Sequence, residues 1–493
     1  MSLQSALFRS SPVARPKKAL TIDNINPHLL EADYAVRGKL AIRAEELRDR
    51  LKAGDTSLPF TEVINSNIGN PQQLDQRPIT FFRQVLSLVQ YPDLMLSPYA
   101  DKIFPPDAIA RATGLLEEIG SLGAYSHSQG VPCIRQSVAN FIAERDGFPA
   151  DPKDIYLVGG ASSGVSNLLT TICNGPETGV MIPVPQYPLY SATLAIVDAT
   201  PVPYYLNEAD RWSTDPGHIR QAILGALAKG VKVKAVVVIN PCNPTGSSLS
   251  RQDIKDILAL AAEHGILVVA DEVYQTNVYG SEFHSFKKVL REAQRDHPGV
   301  FDDVELASLH STSKGMVGEC GQRGGYVELI GINDDVMEQF YKLVSISLCP
   351  AVSGQVLTEV MVNPPREGDP SYPLYRQEYD HIYSTLKTRA LALYEAFQQM
   401  DGVSCQPPMG AMYLFPTITL PAKAIKKAQD LGTAPDQFYC MQLLEATGIC
   451  VIPGSGFGQK PGEYHFRTTF LAPGDDHIQR MIRFHNGFVA QYS

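Results

Sequence analysis

Short apolar runs alternate with amphipathic stretches between residues 154 and 330. Six runs have the length and the β-branched composition of buried strands, at 155–158, 180–183, 233–239, 266–270, 306–310 and 325–329. Strands that alternate with helices form parallel sheets whose faces the helices cover. The pattern therefore predicts an α/β fold built on a mostly parallel sheet.

Two of the amphipathic stretches can be placed as helices. In one, Ser250 and Asp253 have capping-box spacing, apolar positions 254, 257, 258 and 261 share a face, and Gly265 ends the stretch. The other begins after Ala161 and repeats apolar positions at 165, 168, 169 and 172. This puts Ser162 in the first turn of a helix.

The rest of the chain has a different pattern of predicted helices and strands. Residues 31–53 are charged and helix-prone, a helical segment runs to residue 362, and a Pro/Gly-rich loop follows at 364–373. Mixed helices and short strands complete the chain. We expect an N-terminal arm and helix at 1–72 that contribute to a small domain, a large α/β domain at 73–345, and an interdomain helix with a small α+β domain at 346–493.

Composition and charge narrow the class of partner. A chain of 493 residues with net charge −10 is large enough for two or three packed units and repels nucleic acid and anionic membranes in general. No apolar run approaches the roughly 18 residues of a membrane helix. We therefore expect a small-molecule partner, with no nucleic acid, no membrane and no metal.

The cysteines and the N-terminal residues indicate in which cellular compartment the protein works. The eight cysteines are scattered, without C-x-x-C pairs, and indicate reduced thiols. Residues 1–22 include Arg9, Arg15, Lys17 and Lys18 and no acid, a composition typical of a short targeting sequence and equally of a disordered tail. We expect a cytoplasmic protein, with the mitochondrial matrix as the alternative.

Three motifs each follow a predicted strand. They are 240–246 (NPCNPTG), 270–274 (ADEVY) and 310–315 (HSTSKG). A lone lysine after a strand is usually a surface residue, but active-site groups of parallel sheets gather at the carboxyl ends of the strands. Lys314 can form an imine with an aldehyde and later carry a proton, and Asp271 can pair with a protonated pyridine nitrogen.

A phosphate site is also visible. The turn at 159–162 (GGAS) opens a helix, whose free N–H groups and dipole suit a dianion. Ser311, Ser313 and Arg323, around the lysine, add hydroxyl and guanidinium donors. The glycine-rich segment 454–458 is not framed by a strand and a helix, so we interpret it as a backbone turn.

These motifs resemble those of pyridoxal-phosphate aminotransferases of the class that includes aspartate and alanine aminotransferases. Segments 34–38, 67–72, 124–130, 175–179, 185–190, 318–325 and 466–470 are similar to eukaryotic alanine aminotransferases, and the resemblance covers nearly the whole chain from residue 30. It implies the fold-type I architecture, pyridoxal 5'-phosphate as cofactor and a homodimer.

The resemblance also implies a role for individual residues. Lys314 corresponds to the Schiff-base lysine, Asp271 to the partner of the pyridine nitrogen, and Arg467 to the arginine that binds the substrate α-carboxylate. The remaining implied roles are ring stacking by Tyr187, contacts to the phenolic oxygen by Tyr274 and Asn243, the phosphate cup of Ala161, Ser162, Ser311, Ser313 and Arg323, a phosphate contact from the neighbouring subunit by Tyr125, and a closing loop at Gly69.

Two positions depart from the family pattern. Cys242 and Cys133 stand where glycine is common, which is tolerated only where the backbone does not need positive φ.

The implied reaction is ping-pong transamination of L-alanine with 2-oxoglutarate to pyruvate and L-glutamate. The alternatives are a glutamate–glyoxylate aminotransferase, a lyase or synthase on the same fold, and a non-catalytic relative.

Overall fold

A seven-stranded sheet forms the centre of the protein in the computed structural model, which describes residues 18–32, 34, 36, 38–280 and 282–493. We number its strands along the chain as β1 (Ile155–Leu157), β2 (Thr178–Val184), β3 (Thr200–Tyr205), β4 (Lys232–Ile239), β5 (Leu267–Asp271), β6 (Leu306–Ser311) and β7 (Gly325–Ile330). Their spatial order is β1-β7-β6-β5-β4-β2-β3.

The sheet is mostly parallel, as predicted. β2, β3, β4, β5 and β6 pair in parallel, whereas β7 runs antiparallel to both β6 and β1. The carboxyl ends of the parallel strands therefore meet at one edge of the sheet. Asp271 and Ser311 are the last residues of β5 and β6 and lie at this edge.

The predicted strands are confirmed to within a few residues, but β3 was missed. Its sequence contains Pro201 and Pro203, which argue against a central strand because proline cannot donate to the ladder. The structure places β3 at the edge of the sheet, paired on one side with β2. An edge strand tolerates the two prolines, and its residues alternate between buried and exposed positions.

Helices surround the sheet and build the rest of the molecule. Their bounds are His28–Glu31, Lys39–Lys52, Thr80–Gln90, Ala100–Ile103, Pro106–Ile119, Pro132–Asp146, Ala161–Ile172, Leu189–Ile196, Pro216–Leu227, Arg251–His264, Phe286–Asp296, Asp334–Ser345, Val352–Val362, Tyr372–Phe397, Ala422–Asp430, Pro435–Thr447 and Asp476–Tyr492. Both helices that the sequence located are present. Arg251–His264 has the predicted capping box, and Gly265 ends it with φ of 60°.

Two predicted boundaries need correction. The charged stretch at 31–53 is helical mainly at Lys39–Lys52, preceded by the short helix His28–Glu31. The loop predicted to reach residue 373 ends earlier, because Pro373 lies in the first turn of Tyr372–Phe397, where proline lacks only an N–H that would be free anyway.

Short strands join the C-terminal part of the chain to an N-terminal segment. Ile64–Asn65 pairs with Ile449–Cys450, Tyr413–Leu414 and Ile452–Pro453 flank Phe466–Thr469, and Thr417–Ile418 pairs with Val403–Ser404. The mixture of helices and short strands expected after residue 346 is therefore present. The domain boundaries at 72 and 345 stay a prediction.

Some expectations fall on the first residues of the chain. Arg9, Arg15 and Lys17, on which the targeting interpretation rests, lie outside the described residues, as do Ala35 and Arg37 of the segment 34–38. Among the described residues, no helix is both long and apolar enough to cross a bilayer.

Candidate active site

A cavity of about 390 Å³ opens at the carboxyl edge of the sheet. The predicted site residues that line it are Gly69, Ala161, Ser162, Tyr187, Asn243, Asp271, Tyr274, Ser311, Ser313, Lys314, Arg323 and Arg467. A larger cavity of about 570 Å³ also touches Lys314, and its lining includes aromatic residues such as Phe82 and Tyr375 on flanking helices. The chemical groups gather in the smaller one.

Lys314 follows β6 and reaches across the cavity. Its Nζ donates a hydrogen bond to the carbonyl oxygen of Gly69 at 2.9 Å. A Cβ on Gly69 would collide with the hydroxyl of Tyr413 and lie 2.9 Å from Lys314 Nζ. Glycine at position 69 therefore lets the loop approach the lysine closely.

Asp271 is a buried carboxylate at the floor of the cavity. Tyr190 Oη donates to Asp271 Oδ2 at 2.8 Å, and the backbone N–H of Val273 donates to Oδ1 at 3.4 Å. Burial raises the pKa of Asp271, and these hydrogen bonds and the charge of Lys314 oppose the rise. Sequence reasoning missed Tyr190, which lies three residues after Tyr187, in the first turn of the helix Leu189–Ile196.

Arg467 lies on the strand Phe466–Thr469 and is fully buried. Its Nη1 donates to Asn243 Oδ1 at 2.8 Å, and its Nη2 donates to the carbonyl oxygen of Asn67. The guanidinium carbon lies 4.1 Å from the ring centre of Tyr413 and 4.7 Å from that of Phe457. Two aromatic rings and two oxygens therefore hold the guanidinium in one plane.

Tyr413 is a second residue that sequence reasoning missed. Its hydroxyl accepts from Tyr274 Oη at 3.2 Å. Burial raises its pKa, but the charges of Lys314 and Arg467 outweigh burial and hold the pKa below its usual value. Burial and the proximity of Tyr413 raise the pKa of Tyr274 well above its usual value. No motif marked Tyr413, because its segment contacts the site only through tertiary packing.

Arg323 and the first turn of Ala161–Ile172 form a cup for an anion. Nη2 of Arg323 donates to Ser162 Oγ at 3.1 Å, and Nη1 donates to Ser313 Oγ at 3.5 Å. Gly160 precedes the helix with φ of 91°, and a Cβ there would collide with the Arg323 guanidinium. The helix N-terminus, two hydroxyls and one guanidinium thus face a common point.

Aromatic side chains complete the site. Tyr187 follows β2, and its hydroxyl lies 2.7 Å from that of Tyr34. Tyr125 does not line the cavity and has 78% of its surface exposed. The prediction that Tyr125 serves a neighbouring subunit agrees with its position outside its own site and stays a prediction.

Neither cysteine departure strains the backbone. Cys242 and Cys133 are absent from the described residues with positive φ. Burial raises the pKa of both thiols to about 11, so they are protonated at neutral pH. Both positions therefore tolerate a side chain, and neither thiol is activated.

Comparison with known proteins places this site in a wider context. Residues 97–482 match the family model "Aminotransferase class I and II". The chain is 54% identical over 484 residues to "Alanine aminotransferase, mitochondrial" of Saccharomyces cerevisiae, covering 97% of this chain and 82% of the relative. It is 50% identical to "Inactive alanine aminotransferase" of the same organism, and the match covers 97% of this chain and 96% of that relative.

Solved structures agree on the fold. "Alanine aminotransferase from Pyrococcus furiosus" superposes with a TM-score of 0.74 at 24% identity, covering 94% of this chain and 100% of that one. At this identity the likeness establishes the architecture alone. The fold is thus shared with that structure, whereas the chemistry of the cavity rests on the residues described above.

Proposed function

Because the chain belongs to the class I and II aminotransferase family, we propose that it transfers the amino group of L-alanine to 2-oxoglutarate, giving pyruvate and L-glutamate. The observation that carries the proposal is the meeting of Lys314, Asp271 and Arg467 in one cavity with an anion cup at Arg323. The choice of alanine is supported by the name of the yeast relative at 54% identity.

We also propose pyridoxal 5'-phosphate as the cofactor, because the residues present fit its groups. The cup of Ser162, Ser313 and Arg323 suits the phosphate, and Gly160 leaves room for the Arg323 guanidinium. Asp271 would hold the proton of the pyridine nitrogen, Tyr187 would stack on the ring, and Tyr274 with Asn243 would bind the phenolic oxygen. When bound, this cofactor supplies an electron sink for the charge that develops at the substrate Cα.

The side chains have distinct tasks in the reaction. Arg467 holds the α-carboxylate by a two-point contact, which sets the direction of the Cα–H bond. Lys314 Nζ then takes the proton from Cα and returns it in the second half of the reaction. The 2-oxo acid has a carboxylate at the same place, so amino acid and oxo acid use the site in turn, as a ping-pong reaction requires.

The inactive yeast relative shows that overall identity does not decide activity in this family. Here Lys314, Asp271 and Arg467 are all present and face one cavity, which favours catalysis over a non-catalytic role.

The test is a matrix of amino donors against 2-oxo acids on the purified protein. We expect pyruvate from L-alanine with 2-oxoglutarate, and loss of at least about 10²-fold in turnover for Lys314→Ala, which loses nucleophile and proton carrier together. Faster turnover with glyoxylate as acceptor would favour the glutamate–glyoxylate activity. Wild-type turnover in Lys314→Ala would remove the lysine from the reaction.

Assembly and location complete the proposal. We propose a homodimer, because Tyr125 is exposed outside its own site. We propose that the protein works in the cytoplasm, with the mitochondrial matrix as the alternative. The name of the yeast relative supports a mitochondrial location. Fractionation of cells that express the full chain decides between the two compartments.

A further inference from the structure

Glu208 connects the sheet to the C-terminal part of the chain. It opens the 3-10 helix Glu208–Asp210 just after β3, and three of its oxygens contact later segments. Its carbonyl oxygen accepts from Gln406 Nε2 at 3.0 Å, its Oε1 accepts from the Thr417 hydroxyl, and its Oε2 lies 3.2 Å from His465 Nε2. One residue of the sheet part therefore contacts three segments beyond residue 400.

The His465 ring lies between two polar side chains. Gln459 Nε2 donates to the carboxylate of Asp436 at 3.1 Å, so Gln459 Oε1 faces His465 Nδ1, at 3.0 Å. An amide oxygen can only accept, and so can the ionised carboxylate of Glu208 on the other side of the ring. Both ring nitrogens therefore face an oxygen atom, Nδ1 that of the Gln459 amide and Nε2 that of the Glu208 carboxylate.

Two carboxylates lie close to the His465 ring. Burial raises the pKa of Glu208, but hydrogen bonds from His465 and Thr417 outweigh burial and hold it below its usual value. Glu463 adds a second carboxylate, so that ligand atoms of Glu208, Glu463 and His465 lie within 4.8 Å of one another. Glu208 and Glu463 therefore place two carboxylates beside one buried imidazole.

His465 is linked directly to the substrate-binding strand. It precedes Arg467 by two residues, so both side chains point to the same face of an extended chain. The ring of His465 stacks on that of Phe415, with 4.8 Å between the two ring centres. The ring centres of Phe415 and Phe457 are 5.8 Å apart, and the Phe457 ring lies against the Arg467 guanidinium. A displacement of His465 would therefore displace Arg467 as well, both through the backbone and through the stacked rings.

We infer that Glu208 is a positioning residue for substrate binding: through Thr417 and His465 it holds the strand that carries Arg467 at the right distance from Lys314. Glu208 touches no substrate in this arrangement. Its role is to fix the position of the Arg467 guanidinium. A displacement of about 1 Å in a positioned group can lower the rate about 10²-fold. The kinetic part of this inference rests on the proposed function.

The experiment compares Glu208→Gln and Glu208→Ala with Glu263→Gln in the holoenzyme. Glu263 pairs with Arg220 at 2.6 Å on helices that cover the sheet, so the same substitution breaks an ion pair without touching the C-terminal part. The probe is succinate, an unreactive dicarboxylate, and calorimetry gives its Kd. The KM and kcat for L-alanine and 2-oxoglutarate are measured beside it.

We expect Glu208→Gln to raise the Kd for succinate and both KM values at least about 10-fold, with a smaller fall in kcat and unchanged absorbance of the bound cofactor. Glu208→Ala should have a larger effect, since Gln keeps an acceptor for Thr417. Glu263→Gln should match the wild type. Succinate binding in a wild type that does not use alanine would refute the proposed reaction while still testing Glu208.

Two outcomes would overturn the inference. One is a lower melting temperature of Glu208→Gln with unchanged Kd and KM, which would reduce Glu208 to a stabilising contact. The other is a wild-type protein that does not bind succinate, because Arg467 would then not be a carboxylate site for Glu208 to position.

Discussion

Of the four charged side chains that line the cavity, Lys314, Asp271 and Arg467 are each held by a different kind of contact. Lys314 bonds to a backbone carbonyl, Asp271 accepts from a phenol, and Arg467 lies between two aromatic rings. Such contacts limit the rotamers of the reacting groups before a ligand arrives, which lowers the cost of orientation in the reaction. Substitutions that alter one contact at a time can therefore separate their roles.

Tyr190→Phe tests the support of Asp271. Loss of a hydrogen bond to a charged group costs about 1.5–3 kcal/mol, so we expect cofactor affinity to fall about 10- to 100-fold and turnover to slow. Tyr204→Phe is the matched control, because the buried Tyr204 hydroxyl donates to the Val237 carbonyl at 2.7 Å. Equal cofactor Kd values for the two variants, measured by titration of the apoprotein, would contradict a role for Tyr190 at the site.

Arg467→Lys tests the two-point contact with the substrate. Lysine keeps the charge but loses the planar pair of donors, so we expect higher KM for both alanine and 2-oxoglutarate together with lower kcat. The absorbance of the bound cofactor should be unchanged. Steady-state kinetics and a melting curve decide the matter, since a purely structural arginine predicts lower thermal stability with unaltered KM.

At the scale of elements, the site depends on how strands end and helices begin. The carboxyl ends of β5 and β6 place Asp271 and Ser311, and the first turn of Ala161–Ile172 offers its free N–H groups. In the turn before that helix, a Cβ on Gly160 would collide with the Arg323 guanidinium. A single glycine thus connects the geometry of the turn to the anion cup.

Gly160→Ala tests this connection. The positive φ of 91° makes alanine strained by roughly 1–3 kcal/mol, and the new Cβ would push Arg323 away from Ser162. We expect lower stability and at least about 10-fold weaker cofactor binding, the effect of losing one charge-assisted contact. Gly147→Ala, with φ of 75° and open space around its Cβ, should lose stability alone. Unchanged cofactor affinity in Gly160→Ala would remove this turn from the cup.

At the scale of the molecule, the proposed dimer predicts that activity depends on assembly. Tyr125 is exposed and stands apart from its own cavity, so we expect Tyr125→Phe to weaken cofactor binding only if a second subunit supplies the residue. Tyr99→Phe, at another exposed tyrosine, should match the wild type. Sedimentation should show a dimer, and an active monomer would refute the proposal.

Sequence by itself determined the features that depend on neighbouring residues. The capping box at Ser250, the GGAS turn and the motifs after β4, β5 and β6 are each contained in a few consecutive positions. Because active-site groups of parallel sheets collect at strand ends, those motifs predicted one site, and the structure brings the residues to one cavity. Arg467 was found through family resemblance, since no local pattern distinguishes it.

Only the tertiary structure decided which distant groups support these residues. Tyr190 meets Asp271, Tyr413 meets Lys314 and Arg467, and Glu208 meets His465 because separate segments pack together. The β3 strand is similar, since its prolines are compatible with a sheet only at the edge. Local sequence sets strand ends, turns and caps, whereas the surroundings of a buried charge depend on chain segments that no short motif contains.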